Sequence, residues 1–482
     1  MGKLDKIFGD KKTRLWYWLA LPVLAALLVW WGAKSLDFDD PWISLPDQVT
    51  VLGDKTDLVV RVGDAKSGLR ELRVTVRQDD QEKVALNRTF PPGGEPGTEE
   101  EIPVTLEAKA LGLKEGQGTL TVSVRDSSWR NWFRGRSRVV TKEVLIDLVP
   151  VHLTFLSVNH LLHYGGTGLI LYHLNKEVKE SGVVVDGHLY RGFPNPKGNP
   201  GDYLVLFPIP REPAGLQQVE LVARPRWGQE VKRQIPLNLT PRRWRLDNMK
   251  LSEDFLRRVA ASFAVSGDPL QAYLAINRDM RRANHDQLRE ICRQSHPEPL
   301  WDRAFLRFLG KPMARYGDKR TYLYEGKTVD HQVHMGEDLA SLERSPVPAA
   351  NHGVVVWAEP LGIYGQTVIL DHGLGVFSMY SHLSQIEVKK GDRVEKGKPL
   401  GRTGATGLAG GDHLHFSMLI QGEFVDPREW WDPHWHKDQV QGLLMAQARS
   451  AEGTAASSRA PRAKSMGKKL KAQPRKGKER RQ

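Results

Sequence analysis

The residues with the most chemistry to offer are histidines. Nine of the sixteen fall between positions 331 and 436, a concentration that points to a metal or acid–base site without choosing its members. In Asp412-His413-Leu414-His415-Phe416-Ser417-Met418-Leu419-Ile420, polar and apolar side chains largely alternate. Folded as a strand, it turns Leu414, Phe416, Met418 and Ile420 toward a core. His413, His415 and Ser417 then share the other face, the two imidazoles about 6.6 Å apart at Cα. One can bind a metal while the other serves its bound water. A second signal is His334-Met335-Gly336-Glu337-Asp338. A straight strand would hold His334 and Asp338 about 13 Å apart at Cα, but Gly336 permits a bend and puts no side chain between them. A third candidate is His382, in Met379-Tyr380-Ser381-His382-Leu383. His331, His352 and His372 sit beside turns or in the lead-in to the second signal and are set aside. His434-Trp435-His436 repeats the spacing of His413 and His415, but Pro433 precedes it and no alternating apolar face backs it. That predicts an exposed segment after the domain.

His334, Asp338 and His415 together supply two nitrogens and one carboxylate oxygen, the ligand types of a catalytic zinc site that keeps its fourth position for water. Mg²⁺ or Ca²⁺ would favour more oxygens. The one cysteine, Cys292, excludes a disulfide framework and a multi-thiolate metal site within the chain. It reads as a small core residue of a helix.

From about Tyr316 to Trp431 the chain resembles the lysostaphin/LytM-type zinc metallopeptidases, the peptidoglycan endopeptidases. The resemblance rests on His334-x-Gly336-x-Asp338-Leu339-Ala340, on Ser345-Pro346-Val347-Pro348-Ala349 leading into Gly353-Val354-Val355-Val356, and on Asp371-His372-Gly373. It continues through Tyr380-Ser381-His382-Leu383, Val388-x-x-Gly391-Asp392-x-Val394-x-x-Gly397, Gly401-x-Thr403-Gly404-x-Thr406-Gly407 and His413-Leu414-His415-Phe416. The order of these motifs is a further test beyond each one. The resemblance implies that His334, Asp338 and His415 hold one zinc ion and that His382 and His413 are the two catalytic histidines. It also implies an antiparallel β-sandwich with a groove. Ser417 departs from the pattern, since many relatives have glutamate there.

The elements that must position these residues form a mainly β chain. Residues 1–14 carry five basic and two acidic side chains, and residues 441–482 twelve and two. The 53 basic and 53 acidic residues between them balance, which argues against a body built to grip nucleic acid. Leu15 to Ala33 is uncharged, with Trp16, Tyr17 and Trp18 at one end and Trp30 and Trp31 at the other. Nineteen helical residues reach about 28 Å, close to a bilayer's hydrocarbon thickness. The lysines before it predict a cytoplasmic N-terminus, so 15–33 reads as a single-pass anchor in the inner membrane with the bulk exported to the periplasm or cell-wall side. A cleaved signal peptide is the competing reading, and Gly32-Ala33-Lys34-Ser35 offers it a poor cleavage site.

Alternating runs from 40 to 149 and from 150 to 244 predict two Ig-like β modules. Residues 245–310 read as helical, with Ser252 as a cap. Residues 311–432 form the LytM-type peptidase domain and 441–482 a disordered basic tail. The expected function is zinc-dependent hydrolysis of peptide bonds in peptidoglycan. The alternative is a non-catalytic envelope scaffold, or an activator of another wall hydrolase, that binds through the Ig-like modules. The expected partners are peptidoglycan, the membrane and envelope proteins, with no nucleic acid.

Overall fold

The structure, a computed structural model, describes residues 39–442 apart from breaks at 47–48, 92–98, 129–133, 159–161, 214–218 and 227–228, together with 22–26 and 29. The span 15–33 read as an anchor therefore lies outside the described residues except at 22–26 and 29, and the tail lies outside them from 443. Among the described residues no helix is long and apolar enough to cross a membrane. The chain is mainly β and divides into two compact units. One is 1–152 with 175–181 and 222–232; the other is 153–174, 182–221 and 233–482.

In the first unit the period-two pattern does what alternation dictates. Trp42–Ser44, Lys55–Gly63 and Glu99–Glu107 form one antiparallel sheet. Val51–Leu52, Ser137–Ile146, Gly116–Asp126, Leu69–Gln78 and Gln81–Thr89 form a second sheet in that spatial order, antiparallel except for the parallel pairing of Val51–Leu52 with Ser137–Ile146. Leu58, Val60 and Val62 from the first sheet and Leu72, Val74 and Val76 from the second meet in a single core, so the two sheets make a sandwich. Asp79, with φ +51°, and Asp80 form the two-residue hairpin turn between paired Gln78 and Gln81.

The second unit is built on an eight-stranded, antiparallel sheet. Its order is Lys311–Ala314, Glu337–Ala340, Leu414–Ile420, Val376–Leu383, Gln366–Asp371, Gly353–Pro360 and Arg393–Val394, with Glu423–Val425 paired to Leu414–Ile420. Both faces are covered. On one, Leu414, Phe416, Met418 and Ile420 join Val347 and Leu400 of a small three-stranded sheet. Leu169 and Leu171 of Thr167–Leu174 and Leu204 and Leu206 of Asp202–Pro208 complete this core. On the other face Ile369, Phe377, Met379 and Leu419 pack with Leu256, Tyr273, Ile276, Leu288 and Cys292.

Those last residues come from helices Glu253–Ser262, Pro269–Ala275 and Arg281–Ile291, joined by a π-helical stretch Ile276–Met280. Ser252 caps the first, its side chain accepting from Phe255 N at 3.2 Å, as its position before an apolar stripe predicts. Cys292 is buried, and burial pushes its thiol up from its ordinary range. His434-Trp435-His436 corrects the reading of an exposed segment. It is helical; His434 is exposed as expected, but His436 is buried and the Trp435 ring lies tilted against Trp430 at 5.4 Å. The aromatic side chain at 435, not a strand pattern, carries the segment into the core.

Trp430 is fully buried between Phe305, Trp301 and Trp435, and its indole donates to Thr167 Oγ1 at 3.1 Å. Trp430→Ala is expected to cost about 3–5 kcal/mol, read as a lowered denaturant midpoint for this unit.

Candidate metal centre

Three strands of different sequence origin bring the candidate residues together. Asp338 pairs in register with His415 across strands Glu337–Ala340 and Leu414–Ile420, and His415 pairs on its other side with Ser381. His334 precedes the bend at Gly336. The bend is tight: a Cβ on Gly336 would lie 2.5 Å from Phe416 O, 2.6 Å from Ser417 Oγ and 2.7 Å from His415 Nε2. The expectation that Gly336 folds the two ends together without a side chain between them is met.

His334 Nε2, Asp338 Oδ1 and His415 Nδ1 lie 2.8 to 3.1 Å from one another, and all three residues are buried. Their outer hydrogen bonds decide what faces inward. His334 Nδ1 lies 3.0 Å from the carbonyl of Arg315, which only accepts, so the neutral ring carries its proton there. Ser417 Oγ donates to Met335 O at 2.9 Å, and its lone pair receives His415 Nε2 at 3.0 Å. Each ring therefore turns a bare lone pair toward a carboxylate oxygen. Three electron-rich atoms in contact with no proton among them repel one another unless a cation sits between. The donor set, two imidazoles and one carboxylate, fits a transition metal with an open coordination position.

The surrounding charges follow the same pattern. Burial works against ionisation of Asp338, but positive charge beside it, carried by protonated His334, His413 and His415 rings or, with the rings neutral, by a bound cation, holds its carboxyl well below the usual range. Burial pushes His415 down to about 4 against the pull of Asp338. Asp338 Oδ2 pairs with Arg320 at 3.2 Å, which leaves Oδ1 for the centre.

His382 and His413 flank this group, their ring centroids 4.9 Å apart and His382 5.6 Å from His415. His382 Nδ1 donates to Thr406 O and His413 Nδ1 to Gly411 O, each at 2.8 Å, so both turn Nε2 away from those carbonyls. His413 Nε2 lies 3.5 Å from Asp338 Oδ1. His382 adopts φ +60°, a left-handed conformation that a non-glycine residue holds only when its surroundings impose it. Burial, followed by the His415 and His413 imidazoles, pushes it down to about 3. For His413 burial is outweighed by Asp338, and the ring is raised.

Three contributors were given no role on the sequence. Arg320 stands alone in strand Lys319–Tyr324, 18 residues before its partner. Tyr364, buried, tilts over His415 at 5.7 Å and is held by His285 Nε2 at 3.1 Å from its hydroxyl. Ser417, which alternation places on the face of His413 and His415 and which departs from the family pattern, orients His415. His372, set aside on the sequence, is buried elsewhere in the core between His352 O and Ser378 Oγ.

Residues 332–427 match Peptidase family M23. Over 93 residues the chain is 38% identical to the peptidoglycan DD-endopeptidase ShyA of Vibrio cholerae, a stretch that is 19% of this chain and 22% of ShyA. The murein hydrolase activator EnvC of Escherichia coli is 30% identical over 127 residues, 26% of this chain and 28% of EnvC. The chain thus matches well under half the length of these relatives. The crystallised catalytic domain of lysostaphin from Staphylococcus simulans is 28% identical, with a TM-score of 0.22, covering 25% of this chain and 92% of that one. Residues 332–427, which hold His334, Asp338, His382, His413 and His415, are a peptidase M23 domain.

Proposed function

We propose that this chain is a zinc-dependent endopeptidase that hydrolyses peptide bonds in peptidoglycan. The observation that carries the reading is the meeting of three lone-pair donors at one point beside two further imidazoles. His334, Asp338 and His415 hold the metal. Zinc, when bound, supplies Lewis acidity that brings the pKa of water to about 7 and polarises a carbonyl. His382 and His413 do the proton work: one accepts the proton of the attacking water through Nε2 and passes it to the leaving amine, and the other steadies the oxyanion. Their Nδ1 bonds to Thr406 and Gly411 leave both Nε2 atoms free: the base uses its bare lone pair, and the other ring donates to the oxyanion as an imidazolium, protonated at Nε2. The similarity to ShyA supports peptidoglycan as the substrate. The uncharged stretch 15–33 supports a single-pass membrane anchor that holds the enzyme on the exported side, within reach of the wall.

The likeness to EnvC favours a second reading, in which the chain activates another wall hydrolase. The five filled positions favour the enzyme. Muropeptide release from isolated wall by the purified chain decides between them: the enzyme releases fragments alone and stops when a chelator is added, whereas an activator releases none without its partner.

Two further outcomes are expected. His382→Ala and His413→Ala each lower kcat by about 10²- to 10⁴-fold while elemental analysis finds the zinc content unchanged. Ser417→Ala, which removes the acceptor for His415 Nε2, weakens zinc affinity by about 10- to 100-fold in a chelator competition, with the circular dichroism spectrum preserved.

A further inference from the structure

Beside the metal centre lies a groove of 530 Å³ with a strongly one-sided charge. Arg243, Arg245, Lys311, Arg315 and Arg428 line it, against the single acid Asp318. Arg245 is paired with Asp247 and Asp318, and Arg428 with Asp426. Arg243, Lys311 and Arg315 make no ion pair among the described residues, and all three are exposed.

The groove is built rather than a chance meeting of long side chains. Its wall is Trp244, whose indole donates to Arg211 O at 3.3 Å and meets Tyr316 edge-on at 5.9 Å. The Trp244 ring lies against Gly317, at φ +86°, where any Cβ would collide with it. The same loop grips a metal-site residue. Arg315 O receives His334 Nδ1 at 3.0 Å, Asp318 O accepts from His334 N at 2.9 Å, and Gly317 N donates to His334 O at 2.8 Å. On the adjoining edge strand Ala314 pairs opposite Asp338 and Lys311 opposite Ala340. The strand that carries Lys311 therefore lies next to the strand that carries Asp338, about one strand spacing, ~4.8 Å, away.

We infer that this groove binds the free carboxylates of the peptidoglycan stem peptide and so seats the substrate beside the metal centre. The inference rests on the proposed peptidoglycan activity and adds a subsite to it. Guanidinium groups match carboxylates in a two-pronged geometry, and unpaired cations have no partner to give up on binding. The grip of the loop on His334 favours a substrate segment over a lipid headgroup, because whatever binds there adjoins the reacting centre.

The test is calorimetric titration of the full-length chain with an uncross-linked disaccharide tetrapeptide, which carries the carboxylates but no cross-link to cut, and with its amidated counterpart. Arg243→Gln or Lys311→Gln should each raise the Kd of the free acid about three- to fivefold, and the pair about tenfold or more. Lys311→Arg should restore it, and the amidated peptide should bind the wild type as weakly as the acid binds the double variant. Equal binding of acid and amide, or unchanged affinity in the double variant, overturns the inference. So does loss of binding to phosphatidylglycerol vesicles with peptide binding intact. A wild type that binds the peptide yet releases nothing from cross-linked wall sinks the endopeptidase reading and leaves the groove standing.

Discussion

Three lone pairs aimed at one point are tolerable only around a cation, and the rest of the second unit is arranged to keep them there. Arg315 O and Ser417 Oγ take the outward N–H groups of His334 and His415, so neither ring can rotate to relieve the crowding without breaking a buried hydrogen bond. Arg320 occupies the spare oxygen of Asp338. Arg315 and Arg320 come from one stretch and Ser417 from the strand of His415 itself. Two stretches far apart in the chain thus commit to the orientation of three atoms, which is what a preorganised metal site requires.

The sheet provides the rigidity for this commitment. Asp338, His415 and Ser381 lie side by side on three adjacent hydrogen-bonded strands, a scaffold with far less freedom than loops. Helix Arg281–Ile291 reinforces it from outside the family-matched stretch. Asn284 Oδ1 accepts from Ile363 N at 2.9 Å and His285 reaches the hydroxyl of Tyr364, so the segment beside His415 is fixed by the helical region. At His382, one residue before the strand Val376–Leu383 ends, the backbone takes up a conformation that costs energy for any residue with a Cβ, and the ring is buried.

Much of this was legible in the sequence. Alternation in 412–420 placed His415 on the face opposite Leu414 and Phe416, and Gly336 announced the bend, because side-chain period and glycine geometry are local properties. Local pattern stops at the partner. Arg320 looks like any charged residue on a half-exposed strand, and only the register that sets its strand near Asp338 gives it a role. Ser417 appeared to be a minor change, since its hydroxyl has meaning only once His415 Nε2 and Met335 O are seen on either side. His436 was misread because proline and the missing alternation say where a strand cannot be, and nothing about where Trp435 will pack. Alternation likewise marks an apolar face and is silent on what covers the polar one; here His415 and Ser417 are buried and hydrogen-bonded to each other.

The covering of both faces of the eight-stranded sheet sets a limit on modularity. Leucines 169, 171, 204 and 206 close one side and the helices between 253 and 291 close the other, all contributed from before position 332. The borders of the peptidase stretch along the chain are thus not borders in space. Excised, it would present two greasy surfaces to water, and a transplant between relatives that share only this stretch would have to rewrite both at once.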